Sequence, residues 1–163
     1  MMIVIDSREQ NPFTFAERED VETIVGTLQT GDYSLQGLED RIALERKSLN
    51  DLTSCLIGAN RERFERELCR GRGLEFFAVV VEASFGELAS KQYWGGLNPH
   101  AAAQSVIAFQ IRHQVNFIWA GSRRSAEYFV YWTLSKFLRE AETRYKTILK
   151  AHGKLQEAAL SAA

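Results

Sequence analysis

The chain has 163 residues, a formal net charge of −1, and 45% hydrophobic and 25% charged residues. This composition is that of an ordinary globular domain with a sizeable core. It excludes a membrane-spanning helix, because no apolar run approaches the roughly 20 residues that such a helix needs. The balanced charge also excludes an overall attraction to nucleic acid, so any such contact must come from a local basic patch.

The N-terminus, MMIVIDSREQ, lacks a basic segment and reaches Asp6 too early for a secretory signal peptide. A cytoplasmic protein is therefore expected, associated with the nucleoid or, for a phage protein, found in the host cytoplasm. Neither the two cysteines nor the three histidines have the spacing of a zinc site. No membrane partner and no small-molecule cofactor are expected.

Three strands are predicted in the N-terminal part of the chain. Met2 to Ile5 is a short apolar run that stops at Asp6. Leu28 to Leu35 and Arg41 to Arg46 follow, and the loop between them, Gln36 to Asp40, has the length and the glycine of a hairpin connection. The two later strands are thus expected to pair with each other.

Two helices are predicted next. Ser48, with Asp51 three positions later, forms a capping-box pattern, and leucines follow at helical spacing. Gly58 is the expected end of this helix. Asn60 to Cys69 is a second helical stretch, dense in arginine and glutamate.

The second half of the chain alternates strands and helices. Phe76 to Val81 has the composition of a central strand buried on both faces. Pro99 occupies the first position of a helix, Val115 to Ala120 is another strand, and Ser125 to about Ala151 is a long helix. This order predicts an α/β fold, an α/β/α sandwich with a central mixed sheet and a long C-terminal helix. The residues of the Pro99 helix expected to face the core are Ala102, Val106, Phe109 and Ile111.

A short apolar alternation runs straight into Glu45, Arg46 and Lys47. Because side chains alternate along a strand, Glu45 and Lys47 project together and Arg46 points to the opposite face. The hairpin partner carries Asp32 directly after Gly31, which could bend the chain and bring Asp32 close to Glu45. Two carboxylates and a backbone carbonyl make an oxygen-rich site that suits Mg²⁺ or Mn²⁺. The alternative is a solvated strand end in which Glu45 pairs with a cross-strand charge.

Such a site would have the minimum equipment for phosphodiester hydrolysis. Lys47 could hold or deprotonate a water beside the metal, or stabilise negative charge on a phosphate. Taken singly, Asp51 is explained by the helix cap and Asp6 by a turn. The prediction of a hydrolytic site therefore rests on these acids occurring together and in order.

Gly31-Asp32, twelve further residues, Glu45-Arg46-Lys47, three further residues and Asp51 form an ordered pattern. This pattern resembles the GD…ERKxxxD signature of the XPF-type structure-specific endonucleases, and the resemblance covers roughly residues 2–144. The flanking stretches that also resemble the family are Ile3 to Glu9 (its opening strand), Leu28 to Tyr33 (its second strand), Phe76 to Glu82 (its central strand), and Trp119 to Arg124 (its last strand and the start of its final helix).

The resemblance implies a restriction-endonuclease-type fold over residues 1–152, with residues 153–163 as a loosely attached tail. It implies a divalent-metal-dependent DNA endonuclease; in the family such enzymes are structure-specific for branched, flap or fork DNA and act in repair, recombination or replication. The helix-hairpin-helix module of many members is absent from this sequence, so the preference for branched DNA does not carry over with the rest. The alternative is a non-catalytic DNA-binding or scaffolding subunit, since the family contains partners that have lost their acids.

By the same resemblance, Asp32 and Glu45 bind Mg²⁺ or Mn²⁺, assisted by the backbone carbonyl of Arg46. Lys47 would act on the attacking water. Arg46 would also support the carboxylates or touch phosphate.

Further catalytic residues are implied around this centre. Asp6 and Glu9 would lie beside the metal and could serve a second ion, and Arg8 would support the carboxylates or touch phosphate. Asp51 would be functional in the family, although its local capping role also accounts for it.

The sequence departs from the family in the second helix. Members commonly have Gly-Arg and, four residues after the arginine, a glutamine. Here Arg61 or Arg63 could fill the arginine role, and Glu67 stands in the place of the glutamine if Arg63 is the match.

Two basic stretches are candidates for DNA binding. The stretch 61–73 contains five arginines and three glutamates, and Arg123-Arg124 opens the last helix, where free backbone N–H groups favour anions. Arg61, Arg63 and the Arg123-Arg124 pair are therefore expected to contact phosphate, which the arginine fork binds with two hydrogen bonds. The alternative for 61–73 is a surface helix held by i,i+4 pairs.

Aromatic residues suggest two further contacts. Tyr93-Trp94-Gly95-Gly96 could stack an unpaired base or could simply anchor a packed loop. The last helix carries more aromatic residues than one core stripe needs, and nuclease domains of the XPF-type family commonly dimerise, so a homodimer is expected. These aromatic residues are Tyr128, Phe129, Tyr131, Trp132 and Phe137.

Overall fold

The computed structural model describes residues 1–154; residues 155–163, most of the predicted tail, lie outside the described part of the chain. The strands are β1 (Met2–Asp6), β2 (Glu22–Gly26), β3 (Tyr33–Leu35), β4 (Ile42–Lys47), β5 (Phe76–Val81) and β6 (Asn116–Trp119). The helices are α1 (Leu49–Ser54), α2 (Gly58–Gly71), α3 (Phe85–Ala89), α4 (Pro99–His113) and α5 (Arg123–Ala151).

The six strands form one mixed sheet in the order β2-β1-β3-β4-β5-β6. β1 pairs with β2, β4 with β5 and β5 with β6 in parallel, whereas β3 lies antiparallel to both β1 and β4. The predicted hairpin of β3 and β4 and the mixed sheet are therefore confirmed.

Apolar side chains of the central strand β5 alternate between two cores. Val79 faces one core together with Phe64 of α2 and Phe109 of α4. Val80 faces the other core together with Leu134 of α5. Helices thus cover both faces of the sheet, and the predicted α/β/α sandwich is confirmed. The alternation continues into β4, which sends Glu45 and Lys47 to one face and Arg46 to the other.

Two strand predictions differ from the structure. β2 was not predicted, because this edge strand has no buried face; Val25, for example, is 76% exposed. The predicted strand 28–35 is a strand only over its last three residues. The backbone of Leu28 donates instead to the Asp6 carboxylate at 2.7 Å, and the chain turns at Gly31 before β3 begins.

Two helix predictions were also wrong. Gly58 does not end α1 but begins α2, with a φ of +58° where the chain turns from one helix to the next. Ile111 is 76% exposed. The buried stripe of α4 includes Ala102, Val106 and Phe109, and Ile111 lies about 200° around the helix from Phe109.

Among the described helices, none combines the length and the apolarity required to cross a bilayer. The long helix α5 begins at Arg123, directly after its N-cap residue Ser122, and this start is two residues earlier than predicted.

Candidate active site

The turn before β3 positions the first acid. Gly31 has a φ of +78°, and a Cβ on it would lie 2.9 Å from the Cβ of Ala43 and 3.1 Å from the carbonyl oxygen of Leu44, so only glycine fits. The backbone N–H of Asp32 donates to that Leu44 oxygen at 2.8 Å, and the carbonyl of Asp32 accepts from the N–H of Asp6 at 2.8 Å. Both neighbouring strands, β1 and β4, therefore hold the backbone that carries the Asp32 carboxylate.

The end of β4 supplies the second acid and the ammonium group. Lys47 Nζ donates to Glu45 Oε1, and the two side chains are only 15% and 4% exposed. Asp32 reaches the same strand, since its Oδ2 accepts the backbone N–H of Arg46 at 2.8 Å. Within residues 1–154, Asp32 Oδ1 and Glu45 Oε2 receive no hydrogen bond from the protein. Each carboxylate thus keeps one oxygen for another partner.

At the centre of the site, two carboxylates, those of Asp32 and Glu45, lie near a single ammonium group, that of Lys47. Burial raises the pKa of Asp32 to about 6, although the Arg46 backbone N–H and the Lys47 charge act against the rise. Burial also raises the pKa of Glu45 well above its usual range; Lys47 opposes this rise, while the charges of Asp32 and Glu67 add to it. A cation at this position would relieve the repulsion between the carboxylates.

The acidic neighbours of Lys47 favour its ammonium form. Burial alone would lower the pKa of Lys47, but the charge of Glu45, the charge of Glu67 and the hydrogen bond to Glu45 raise the pKa above its ordinary value. An ammonium group can donate to a water or a phosphate oxygen, whereas abstracting a proton requires the free amine. Holding a water and stabilising charge on a phosphate agree with the raised pKa of Lys47, and deprotonation of a water by Lys47 stays a prediction.

Asp6 is occupied by protein donors. Its carboxylate accepts from Arg8 N, Nε and Nη2 at 2.9, 2.7 and 3.0 Å, and from Leu28 N at 2.7 Å. Burial opposes the ionisation of Asp6, but these hydrogen bonds outweigh it and hold the pKa below its ordinary value. Arg8 thus supports a carboxylate as predicted, while both oxygens of Asp6 already have partners.

Behind the site, Arg46 organises a second ionic cluster. Arg46 Nε donates to Glu82 Oε1 at 2.7 Å, and Arg46 Nη1 lies 3.5 Å from Glu9 Oε1. Glu82 Oε1 also accepts from Arg123 Nη1 at 2.7 Å. Glu9 therefore contacts the guanidinium on the face of β4 opposite to Lys47.

Most of the predicted residues meet at one cleft. One side of α2 forms its far wall and presents Arg66, Glu67 and Arg70, which belong to the predicted basic stretch 61–73 but were not singled out there as phosphate contacts. Together with Arg63 they recur at three- and four-residue spacing along the helix, beside Phe64, and this spacing is the signal that could have identified them. The predicted residues lining this cleft are Asp6, Arg8, Asp32, Glu45, Lys47, Asp51 and Arg63, while Glu9 and Arg46 border an adjoining concavity that shares Asp32, Lys47 and Asp51.

Asp51 has a local contact as well. Its Oδ2 accepts from the hydroxyl of Ser48 at 2.7 Å, and its backbone N–H donates to the same hydroxyl at 3.1 Å. The capping interaction is confirmed, and it leaves the Asp51 side chain at the rim of the cleft.

Arg61, a predicted phosphate contact, is engaged inside the protein. It donates to the carbonyl of Leu56 and to the hydroxyl of Ser105, both at 3.1 Å, and stacks over Phe109 at 4.5 Å. Arg61 therefore fastens α2 to α4, and a contact with DNA stays a prediction.

Arg123 and Arg124 differ in their surroundings. Arg123 Nη2 donates to the carbonyls of Asn11 and Pro12 at 2.8 and 2.9 Å, which adds to its bond with Glu82. Arg124 forms only an exposed pair with Glu17 at 3.3 Å, and its side chain is 84% exposed. Of the two, Arg124 is more available to a phosphate.

No three histidine, cysteine, aspartate or glutamate side chains in residues 1–154 are arranged to hold a metal ion. The predicted metal ligands are not three side chains of these types, because they are two carboxylates and one backbone carbonyl. Asp32 and Glu45 are hard oxygen donors, each has one oxygen without a donor from the described part of the chain, and their burial favours a bound cation. The donor chemistry therefore fits Mg²⁺ or Mn²⁺.

A mixed sheet between helical layers, with acids at the ends of neighbouring strands, is the arrangement of restriction-endonuclease-like proteins. Two solved structures share this fold. XPF from Aeropyrum pernix has a TM-score of 0.67 and 19% sequence identity, with 93% of this chain and 72% of that chain covered. XPF from Aeropyrum pernix in complex with DNA has a TM-score of 0.63 and 19% identity, with 86% of this chain and 66% of that chain covered.

The model of one protein family, the ERCC4 domain, matches residues 5–131. The chain therefore belongs to the ERCC4 domain family, and the resemblance of its motif to the XPF-type proteins is confirmed. A search of curated proteins finds no match.

Proposed function

We propose that this protein is a divalent-metal-dependent DNA endonuclease. One observation carries the proposal: among residues 1–154, no donor bonds to one carboxylate oxygen of Asp32 and one of Glu45, and both acids lie beside the ammonium group of Lys47. Membership of the ERCC4 domain family and the likeness to an XPF structure with DNA bound support the same class of substrate.

Mg²⁺ or Mn²⁺ would be held by Asp32, Glu45 and the backbone carbonyl of Arg46. A bound ion would supply Lewis-acid polarisation of the scissile phosphate and a water of lowered pKa. Asp6 and Glu9 would act at the edge of this centre, and a second ion there would require Asp6 to exchange protein donors for the metal.

The chain's own residues perform the remaining tasks. Lys47, kept protonated by its acidic neighbours, donates to a phosphate oxygen or to the water and stabilises negative charge there. Arg63, Arg66 and Arg70 line the wall of the cleft and can hold flanking phosphates.

The test is incubation of the purified chain with labelled single-stranded, duplex, flap and fork DNA in Mg²⁺, Mn²⁺ or EDTA. Cleavage is expected only with metal, and Asp32→Ala or Lys47→Ala should reduce it about 100-fold or more. Glu62→Ala, an exposed acid of α2 outside the cleft, is the control and should cleave normally. Full activity in Asp32→Ala or Lys47→Ala would overturn the assignment. The comparison of the four DNA shapes tests the proposed structure specificity in repair, recombination or replication.

A second candidate is a non-catalytic DNA-binding or scaffolding subunit. It is favoured by the contacts that these groups already make within the protein: Lys47 is paired with Glu45, and the carboxylate of Asp6 accepts hydrogen bonds from Arg8 and Leu28. DNA binding that falls steeply with salt, with no cleavage in any divalent metal, would establish this alternative.

We also propose that the protein forms a homodimer through α5. The exposed face of this helix and Phe76 line an apolar groove that includes Phe129, Trp132 and Phe137. Phe129 is 40% exposed, and a second copy of the helix would bury this surface.

A further inference from the structure

The loop between α3 and α4 exposes one aromatic side chain and buries its neighbour. Tyr93 is 8% exposed, and its hydroxyl donates to the carbonyl of Leu97 at 3.0 Å. Trp94 is 86% exposed, the most exposed of the large hydrophobic side chains in the described residues. Tyr93 thus anchors the loop, and the adjacent Trp94 is exposed. The indole of Trp94 is therefore not needed to hold the loop in place.

The backbone of this loop is held in one position. Lys91 has a φ of +60°, and Gly95 has a φ of +101°, a region that favours glycine. The backbone N–H of Trp94 donates to the side-chain oxygen of Asn50 at 2.9 Å. The indole therefore projects from a braced turn.

This hydrogen bond connects the loop to α1, a helix that contributes Asp51 and Ser54 to the cleft. Asn50 lies in the first turn of α1, directly after the strand that ends in Lys47, and its neighbour Asp51 lines both concavities of the site. Lys91 is the only charged residue in the stretch 90–97. An exposed indole on a cationic loop, hydrogen-bonded to a helix of the cleft, offers a π face and a favourable field to a nucleic acid strand.

We propose that Trp94 stacks on an unpaired base of the DNA strand whose phosphate lies in the cleft. This inference rests on the proposed nuclease function and adds a substrate feature to it, a single-stranded segment next to the cleavage site. Bases inside a duplex already stack on their neighbours, so only an unpaired or terminal base offers a free face to Trp94. Trp94 is thus a specificity-determining residue, separate from the residues that carry out hydrolysis.

The test measures binding of the 163-residue chain in EDTA, where no cleavage is expected, by the anisotropy of labelled DNA. A fork with two unpaired arms is compared with a duplex of equal length. Trp94→Ala should weaken fork binding about 5- to 150-fold, the range measured for loss of one base–aromatic stack, and should change duplex binding less than about twofold. Trp94→Tyr should restore most of the affinity, because it restores an aromatic face. Tyr145→Ala, which removes a 62% exposed aromatic side chain of α5, is the matched control and should leave both affinities unchanged.

An abasic scan of the fork arm locates the contact. At one unpaired position an abasic site should weaken binding by the wild type and have no effect on Trp94→Ala. Equal losses on fork and duplex, or no loss on either, would overturn the inference. The two proposals can fail separately: fork binding that depends on Trp94 without any cleavage would retain this inference and remove the nuclease assignment, whereas cleavage that Trp94→Ala leaves unchanged on fork and duplex alike would do the opposite.

Discussion

Asp32 occupies a position where its ionised form is disfavoured. Its pKa is about 6 in the folded protein, against 3.8 for an ordinary aspartate. Between these two pH values the folded state binds more protons than the unfolded state, so the free energy of unfolding falls as the pH rises through this window. The metal-free protein is therefore destabilised by its own candidate ligand at neutral pH, a cost that a bound cation would offset.

Asp32→Asn should stabilise the metal-free protein at pH 7.5 by about 1–2 kcal/mol, because it removes the buried charge while its amide oxygen can still accept from Arg46. At pH 4 the gain should disappear, since wild-type Asp32 is then protonated. Urea unfolding in EDTA at the two pH values measures the effect. Asp40→Asn, at an exposed turn position, should show no such pH dependence. A variant less stable than the wild type at pH 7.5 would contradict the role of charge burial.

The pair of Lys47 and Glu45 provides a second test at this scale. Lys47→Met leaves the buried Glu45 carboxylate without its ammonium and should cost about 3 kcal/mol at pH 8. Adding Glu45→Gln removes that charge, so the double variant should recover most of the loss. Chemical denaturation of the wild type, the two single variants and the double variant gives the coupling energy. Equal stability of Lys47→Met and the wild type at pH 8 would show that the pair does not hold the site.

At the scale of elements, short sequence patterns correctly predicted those strands and helices whose apolar residues or capping residues occur at regular positions. The apolar run of β5, the Pro99 helix start and the alternation at the end of β4 were all readable from the sequence. Edge strand β2 was not, because it buries no face. Its pairing with β1 is established only in the folded sheet. The basic stretch of α2 was predicted, but which of its arginines line the cleft was not, because the side of the helix that meets the acids depends on how Phe64 docks in the core.

Gly31→Ala should destabilise the protein and displace Asp32. Gly37→Ala is a matched control, since Gly37 has a φ of +79° but open space around its position, whereas a Cβ on Gly31 meets Ala43 and Leu44. The backbone strain of about 1 kcal/mol should be common to both variants, and the clash should add about 1–3 kcal/mol to Gly31→Ala alone. Thermal unfolding and nuclease assays measure the two consequences. Equal destabilisation by the two substitutions would mean that the close approach to β4 has no energetic weight.

At the scale of the whole molecule, the sheet separates two ionic clusters. Lys47 and Glu45 face the α2 side, whereas Arg46 and Glu82 face the side of α5. The alternation within β4 predicted this division, but not the partners, because Glu82 and Arg123 lie far from β4 in sequence. The internal contacts of Arg61 were unpredictable for the same reason.

The proposed dimer is tested by charge on the apolar face of α5. Phe129→Glu should convert a dimer into a monomer, because it places a carboxylate in a surface that pairing would bury. Ile111→Glu, at a 76% exposed position on α4, should leave the assembly state unchanged. Light scattering coupled to size exclusion measures the mass of each variant. A wild type that is monomeric at all concentrations would remove the proposal.

The support of Asp32 by both β1 and β4 has a consequence for biosynthesis. The carboxylate is fixed only when segments around residues 6, 32 and 44 have come together, and the cleft is closed only when α2, ending at Gly71, has docked. A nascent chain emerging from the ribosome cannot assemble this site until residue 71 has been translated. The proposed cutting activity would therefore be absent from truncated products that end before α2, and such products should be harmless to the genome of the cell that makes them.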